Sequence, residues 1–292
     1  MKKEQEKNLK CGVVSILGLP NAGKSTLINN ILEEKVSIIS SKVQTTRNAI
    51  KGIFTNENDQ IIFIDTPGLA PTKSFLNKKM SKSIYNSLIQ SNINLIIFDS
   101  NTEISKIKKN LFLKLIDIKK KNFLVLNKVD LVNKHNLLKI SKELNSFYDF
   151  DETFYISALK KTGFEDLLLH LKRNIPKGLW IYNNKEKTDQ KLDFIVSEIT
   201  REKIFHLMNQ EIPYSVKIES KIIKKRSIIK IFQTIFVNKK TQKPILLGKN
   251  GNKIKEIGTR ARMDIEKKLN KKVYLDILIS VDKKFQKNYE NN

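Results

Sequence analysis

Cysteine is nearly absent from this 292-residue chain: Cys11 is the only one, and tryptophan also occurs once. A single thiol excludes a disulfide framework and a cysteine-rich zinc site, and makes a reducing compartment such as the cytoplasm the expected home. Long apolar runs are missing too. None approaches the roughly 20 residues that cross a bilayer. The stretch Met1–Lys10 is charged rather than apolar, so no secretory signal is expected there. Acidic residues are scarce, 30 against 55 Lys and Arg, which leaves a formal net charge of +25. Arginine is scarce in turn, with 6 Arg beside 49 Lys.

What is present narrows the class further. Hydrophobic residues make up 40% of the chain, which excludes a wholly disordered protein. At roughly 100–200 residues per domain, the length predicts two domains, each able to bury a core. The charge has two readings. One is a polyanionic partner, either nucleic acid or an acidic membrane face. The other is a codon habit, because Lys, Asn and Ile are all abundant and all have AT-rich codons.

Residues 11–170 alternate short apolar runs with longer helical stretches. The runs Val13–Leu17, Ile61–Ile64, Leu95–Phe98, Phe123–Leu126 and Phe154–Ile156 read as strands buried on both faces of a mostly parallel sheet. The spacers between them suit crossover helices. Ala49–Thr55 alternates more and precedes Ile61 by the turn Asn56–Asp59, which predicts a hairpin and one antiparallel edge strand. After Pro176 the pattern changes. Residues 176–191 read as a linker. Beyond them come helical spacing over Leu192–Gln210, strands at Tyr214–Glu219 and Ser227–Val237, a short helix Pro244–Leu247, a helix Lys253–Leu269 and a strand Val273–Val281. This order is α-β-β-α-α-β, with a polar tail from Lys283.

Gly18–Ser25 fits GxxxxGK followed by Ser, between a predicted strand and a helix that opens near Lys24. Backbone N–H groups of Asn21, Ala22 and Gly23 and the helix N-terminus, through Thr26, would face phosphate oxygens. Lys24 would reach the β- and γ-phosphates and the Ser25 hydroxyl would bind Mg²⁺. Asp65-Thr66-Pro67-Gly68 ends the next long run. Asp65 is a candidate Mg²⁺ partner and the Gly68 N–H a candidate γ-phosphate donor. Asn127-Lys128-Val129-Asp130 ends the Phe123 strand. A carboxylate there accepts from N1 and N2 of guanine, which adenine cannot supply, so Asp130 predicts guanine and disfavours an ATPase. Asn127 would tie this loop to the phosphate loop, and the Lys128 stem would cover the base. Ser157-Ala158 closes the set, with the Ala158 N–H aimed at guanine O6. The polar stretch 40–47 offers Thr45 and Thr46, either of which would complete the Mg²⁺ shell and hold the γ-phosphate; the metal set is thus Ser25, Asp65 and one of these, Thr46 included. Leu69 follows Gly68, and Leu cannot orient an attacking water. Asn21 has two readings, a loop-geometry residue or an oxygen ligand for K⁺ beside the phosphates.

Gly248-Lys249-Asn250-Gly251 is a GxxG between helical segments, followed by Lys253 and Lys255. Two glycines allow close approach to a sugar–phosphate backbone, and KH domains clamp about four nucleotides with such a loop. Charge supports this reading. Residues 1–180 hold 29 basic and 17 acidic residues, whereas 181–292 hold 26 and 13 in a shorter stretch. A codon habit does not explain the higher density.

Together these features resemble the Era family of bacterial GTPases. The resemblance spans residues 10–282 and rests on GLPNAGKST at 18–26, QTTR at 44–47, DTPG at 65–68, NKVD at 127–130, SAL at 157–159, SEITREKIF at 197–205 and LLGKNGNKIKEIGTRAR at 246–262. The last two separate Era from other GTPases. The stretch after Leu69, APTKSFLN, departs from the family's usual switch wording. The resemblance implies a P-loop G domain over 10–175 with helices on both faces of its sheet, the linker, and a smaller α+β type II KH domain over 192–282, flanked by tails 1–9 and 283–292. It implies GTP hydrolysis with GTP/GDP and Mg²⁺, binding of the 3′ end of 16S ribosomal RNA, assistance to 30S subunit maturation and loose peripheral association with the membrane. The expected partner is RNA rather than DNA, and the expected state is a monomer.

Overall fold

The computed structural model describes residues 8–40, 49–68, 84–102, 104, 119–208, 212–224 and 227–282. The chain divides into two compact units, 1–189 and 190–292.

The first unit is built on a six-stranded sheet. Its strands are β1 (Lys10–Gly18), β2 (Ile50–Asn56), β3 (Asp59–Asp65), β4 (Ile93–Asp99), β5 (Lys121–Asn127) and β6 (Glu152–Tyr155), in the spatial order β2-β3-β1-β4-β5-β6. β2 runs antiparallel to β3 and every other pairing is parallel, as the hairpin signal predicted. The continuous apolar runs are buried on both faces because alternate side chains point to opposite sides. Ile61, Phe63, Leu95 and Val125 pack on one side with α1 (Lys24–Leu32) and α3 (Phe164–Asn174). Ile96, Phe98, Leu124 and Leu126 pack on the other with Leu144 of α2 (Lys134–Phe147). The strands outrun the apolar runs that signalled them, since polar flanking residues such as Lys10 and Asp59 continue the β1–β3 ladder.

Strand direction places the site. Gly18, Asp65, Asp99 and Asn127 are the last residues of β1, β3, β4 and β5, so all four stand at the carboxyl edge of one parallel sheet. That edge is where open α/β sheets bind ligands.

The stretch read as a linker divides. Residues 176–189 belong to the first unit and lie along its β2–β3 edge. Ile53 N–H donates to the Lys187 carbonyl (2.8 Å), and Trp180 Nε1 donates to the Asn58 carbonyl (3.2 Å). The buried Gln60 carboxamide accepts from the N–H groups of Ile181 (2.9 Å) and Tyr182 (3.0 Å) and donates to the Tyr182 carbonyl (2.9 Å). These are mostly backbone partners, so composition gave no sign of them.

The second unit has a three-stranded sheet: β7 (Val216–Lys224) antiparallel to β8 (Ile229–Val237), and β8 parallel to β9 (Val273–Val281). With α4 (Leu192–Leu207), α5 (Gln242–Leu247) and α6 (Asn252–Leu269) the order is α-β-β-α-α-β, as expected. β8 buries alternate residues Ile229, Ile231, Ile235 and Val237, against Val196, Ile199 and Ile204 of α4 and Ile257 and Ile265 of α6. Gln233 interrupts this row but is satisfied, accepting from Thr200 Oγ1 (2.7 Å) and donating to the Val196 carbonyl (3.1 Å). Among the described residues no helix is long and apolar enough to cross a membrane.

Candidate nucleotide site and nucleic-acid interface

The loop between β1 and α1 wraps tightly because two residues take left-handed backbone, Asn21 (φ 63°) and Gly23 (φ 97°). Only glycine fits at 23: a Cβ there would stand 2.1 Å from Asn127 Nδ2. Gly23 is also the N-cap of α1, with no side chain closing the helix start and no acidic residue in its first turn. The start of α1 therefore sets no side-chain cap and no negative charge against an outside anion.

A cavity of about 560 Å³ opens over this loop. Asn21, Gly23, Lys24, Ser25 and Thr26 line its floor, and Gly68 lines it beside Pro20. Asn127, Lys128, Asp130 and Ala158 form the far wall. Gly18, Ala22, Asp65 and Ser157 lie directly behind this lining, in contact with it through hydrogen bonds or chain neighbours.

Lys24 is buried, and its ammonium donates to two carbonyls, Gly18 (3.1 Å) and Leu19 (2.8 Å). Burial pushes its pKa down to about 8, against the opposing pull of the Asp65 carboxylate. A buried cation whose hydrogen bonds go to neutral carbonyls is well matched to an arriving phosphate. Ser25 Oγ donates to Asp65 Oδ2 at 2.6 Å. With its proton committed there, the oxygen offers lone pairs to a cation in the cavity, which suits Mg²⁺ held by few protein oxygens together with phosphates.

Asn127 joins three motifs. Its Nδ2 donates to the Ala22 carbonyl (2.7 Å) and its Oδ1 accepts from the Ala158 N–H (2.8 Å). The expected tie to the phosphate loop is present. The Ala158 N–H, expected to face guanine O6, is here engaged by Asn127. Lys128 takes left-handed backbone (φ 64°) and its ammonium donates to Asp99 Oδ2 at 2.6 Å, which lays its aliphatic stem along the wall. Asp130 is exposed in the short 3-10 turn Val129–Leu131 and lines the same cavity. Thr45, Thr46 and Leu69 lie outside the described residues.

Several cavity residues carry no motif letter. Ile38, Ile39, Leu131 and Leu159 supply apolar wall, and Leu131 (58% exposed) and Leu159 (73%) flank Asp130 and Ala158 with surface suited to an aromatic ring. Ser37 Oγ donates to Asp65 Oδ2 at 2.6 Å, although it belongs to no nucleotide motif. Asp99, which anchors Lys128, is legible only as a polar residue ending an apolar run.

In the second unit Gly248–Gly251 links α5 to α6. Gly251 (φ 75°) is the N-cap of α6, again without a side-chain cap and without an acid in the first turn. Nothing lies within 4 Å of where its Cβ would be, so the approach is open. Lys249 and Asn250 are exposed, and Lys253 stands 3.8 Å from Glu256. The five residues expected to meet RNA thus form one continuous basic loop and helix start.

Residues 13–128 match the 50S ribosome-binding GTPase family, and residues 211–285 match the KH domain family. Two solved structures are similar over nearly the whole chain. One is Era in complex with MgGDPNP and nucleotides 1506–1542 of 16S ribosomal RNA: 32% identity, 97% of this chain and 98% of that one, TM-score 0.91. The other is a variant of Aquifex aeolicus Era bound to GDP and aluminium fluoride, with the same identity, coverage and TM-score: 32%, 97%, 98% and 0.91. A G unit with an ordered guanine-nucleotide motif set and a KH unit, matched end to end at this identity, make this chain a member of the Era family of GTPases.

Proposed function

We propose that this GTPase is a GTP-driven switch that binds the 3′ end of 16S ribosomal RNA through its KH unit and assists maturation of the 30S subunit. The observation that carries the proposal is the union, in one chain, of the Lys24–Asp65–Asn127 cradle with the Gly248–Gly251 loop, in a chain similar from end to end to Era holding that RNA. The working units are residues 10–175, with 176–189 packed along the same unit, and 192–282.

Guanine nucleotide with Mg²⁺ supplies the scissile γ-phosphate and the cation that polarises it. Lys24 exchanges its carbonyl partners for phosphate oxygens, which stabilises the charged form that burial disfavours. Ser25 gives an oxygen to the metal while Asp65 holds it through that same hydroxyl. Asp130 accepts from the guanine N1 and N2 hydrogens, Lys128 covers one face of the base, and Asn127 keeps Ala22 and Ala158 at fixed separation. Gly68 N–H and the hydroxyl of Thr45 or Thr46 meet the γ-phosphate. Ordering of the loops around these residues with GTP, and their release on hydrolysis, changes how the KH unit presents Lys249 and Lys253 to RNA. With Leu where Ras-like enzymes place a water-orienting Gln, the Asn21 side-chain oxygen would help hold a K⁺ ion, which would supply charge beside the phosphates; equal turnover in K⁺ and Na⁺ would end that part of the reading.

The chain works as a cytoplasmic monomer with loose attachment to the inner membrane face, which liposome sedimentation and light scattering test. Crosslinking and sequencing of the RNA bound in cells tests the whole proposal. Recovery of the 16S 3′ end is the expected result, and its absence overturns the partner.

A further inference from the structure

The Asp65 carboxylate is gripped from two directions. Ser25 reaches Oδ2 from the start of α1, and Ser37 reaches the same oxygen, also at 2.6 Å, from the segment that follows α1. Ser37 is 2% exposed. Its own backbone is held by one side chain: Asn29 Oδ1 accepts from the N–H groups of Val36 (2.9 Å) and Ser37 (3.0 Å), and Asn29 Nδ2 donates to the Ser37 carbonyl (2.7 Å). The clamp is therefore rooted in α1, the helix that also carries Lys24 and Ser25.

A carboxylate turns freely about its last torsion, where the energy wells are broad. One hydroxyl fixes a distance but leaves that rotation open. Two hydroxyls from separate segments fix the plane. We infer that Ser37 is a positioning residue for Asp65, setting the carboxylate in the orientation from which it supports a metal ion held by Ser25. It also ties that orientation to the chain leading into 41–48, where Thr45 and Thr46 lie. Side chains that orient metal partners without touching the metal commonly govern affinity for it. The inference rests on the assignment of Ser25 and Asp65 to Mg²⁺ under the proposed function.

The test is release of fluorescent GDP from the full chain, wild type and Ser37→Ala, across a Mg²⁺ titration with EDTA as the zero point. Release in EDTA should stay within about twofold of wild type, while the Mg²⁺ concentration that half-maximally slows release should rise about tenfold. An unchanged half-saturating concentration would overturn the inference. So would equal acceleration with and without Mg²⁺, or loss of GDP binding in both conditions, because each marks Ser37 as structural only. A wild-type protein whose GDP release ignores Mg²⁺ would instead defeat the metal assignment itself, which keeps the two failures apart.

Discussion

The two ligand-facing ends of this chain use one device in opposite settings. α1 and α6 both begin at a glycine in left-handed backbone, both lack a side-chain cap, and neither has an acid in its first turn. α3 also starts at a glycine without a side-chain cap, but it places Glu165 and Asp166 in its first turn and so offsets its own helix dipole. Of these three glycine-capped starts, the two without an acid are those where phosphate is expected. They differ in crowding. Around Gly23 the wall is closed by Asn127, the lysine is buried, and Lys24, Ser25, Asn127 and Lys128 each hold a hydrogen-bond partner. Nothing lies within 4 Å of where a Gly251 Cβ would be, and Lys249 is exposed. A closed cradle reads one small ligand by geometry, whereas an open one holds a polymer backbone by charge.

That contrast is open to direct attack. The largest effect is expected from Gly23→Ala, because its Cβ would stand 2.1 Å from Asn127 Nδ2 in a left-handed conformation. Nucleotide affinity should fall about a thousandfold, while Gly251→Ala, with strain of about 1–2 kcal/mol and no clash, should lower RNA affinity about tenfold. Calorimetry of both variants with GDP and with a 16S 3′-terminal oligonucleotide checks the pair. Asp130→Asn should lower GTP affinity about a hundredfold and gain preference for xanthosine nucleotide, read by competition. A wild-type preference for GTP in that variant would remove Asp130 from base reading.

pH gives a third contrast. The free Lys24 has a pKa near 8, lowered by burial. A bound phosphate raises it, so binding takes up a proton once the free lysine has lost its own. Below about 8 affinity should be flat, and above it GDP affinity should drop by up to about tenfold per pH unit. The Gly248–Gly251 loop has no buried lysine to match it, since Lys249 is exposed. The smallest effect is on salt. Lys249→Ala should weaken RNA binding severalfold and reduce the slope of log affinity against log salt by about 0.7. GDP affinity of the same variant should not change.

Much of this was legible in the residues. Val13–Leu17 and Phe123–Leu126 signalled buried parallel strands, and the motifs at their ends marked the carboxyl edge on which Gly18, Asp65 and Asn127 meet. The hairpin was legible because Asn56–Asp59 is a polar turn between apolar runs. The GxxG was legible because glycine pairs flanked by lysines have few other uses in that element order. The remainder depends on partners far apart in sequence. Ser37 reaches Asp65 across 28 positions. Gln60 holds Ile181 and Tyr182 across 121 and 122 positions, which turns the expected linker into part of the first unit. Such contacts have no period or spacing, since a single side chain finds a backbone group that only the finished sheet brings near. Leu131 and Leu159 were hidden for another reason. An apolar residue beside a motif reads as core until the cavity shows it facing out.

On the proposed function, nucleotide state in the first unit governs RNA binding by the second. The most direct measurement is the affinity of the full chain for a 16S 3′-terminal oligonucleotide with Mg²⁺ and a non-hydrolysable GTP analogue, compared with Mg²⁺ and GDP at the same salt. Binding should be clearly tighter or weaker with the analogue, and Lys24→Ala should abolish that difference. Equal affinities in the two nucleotide states would contradict it.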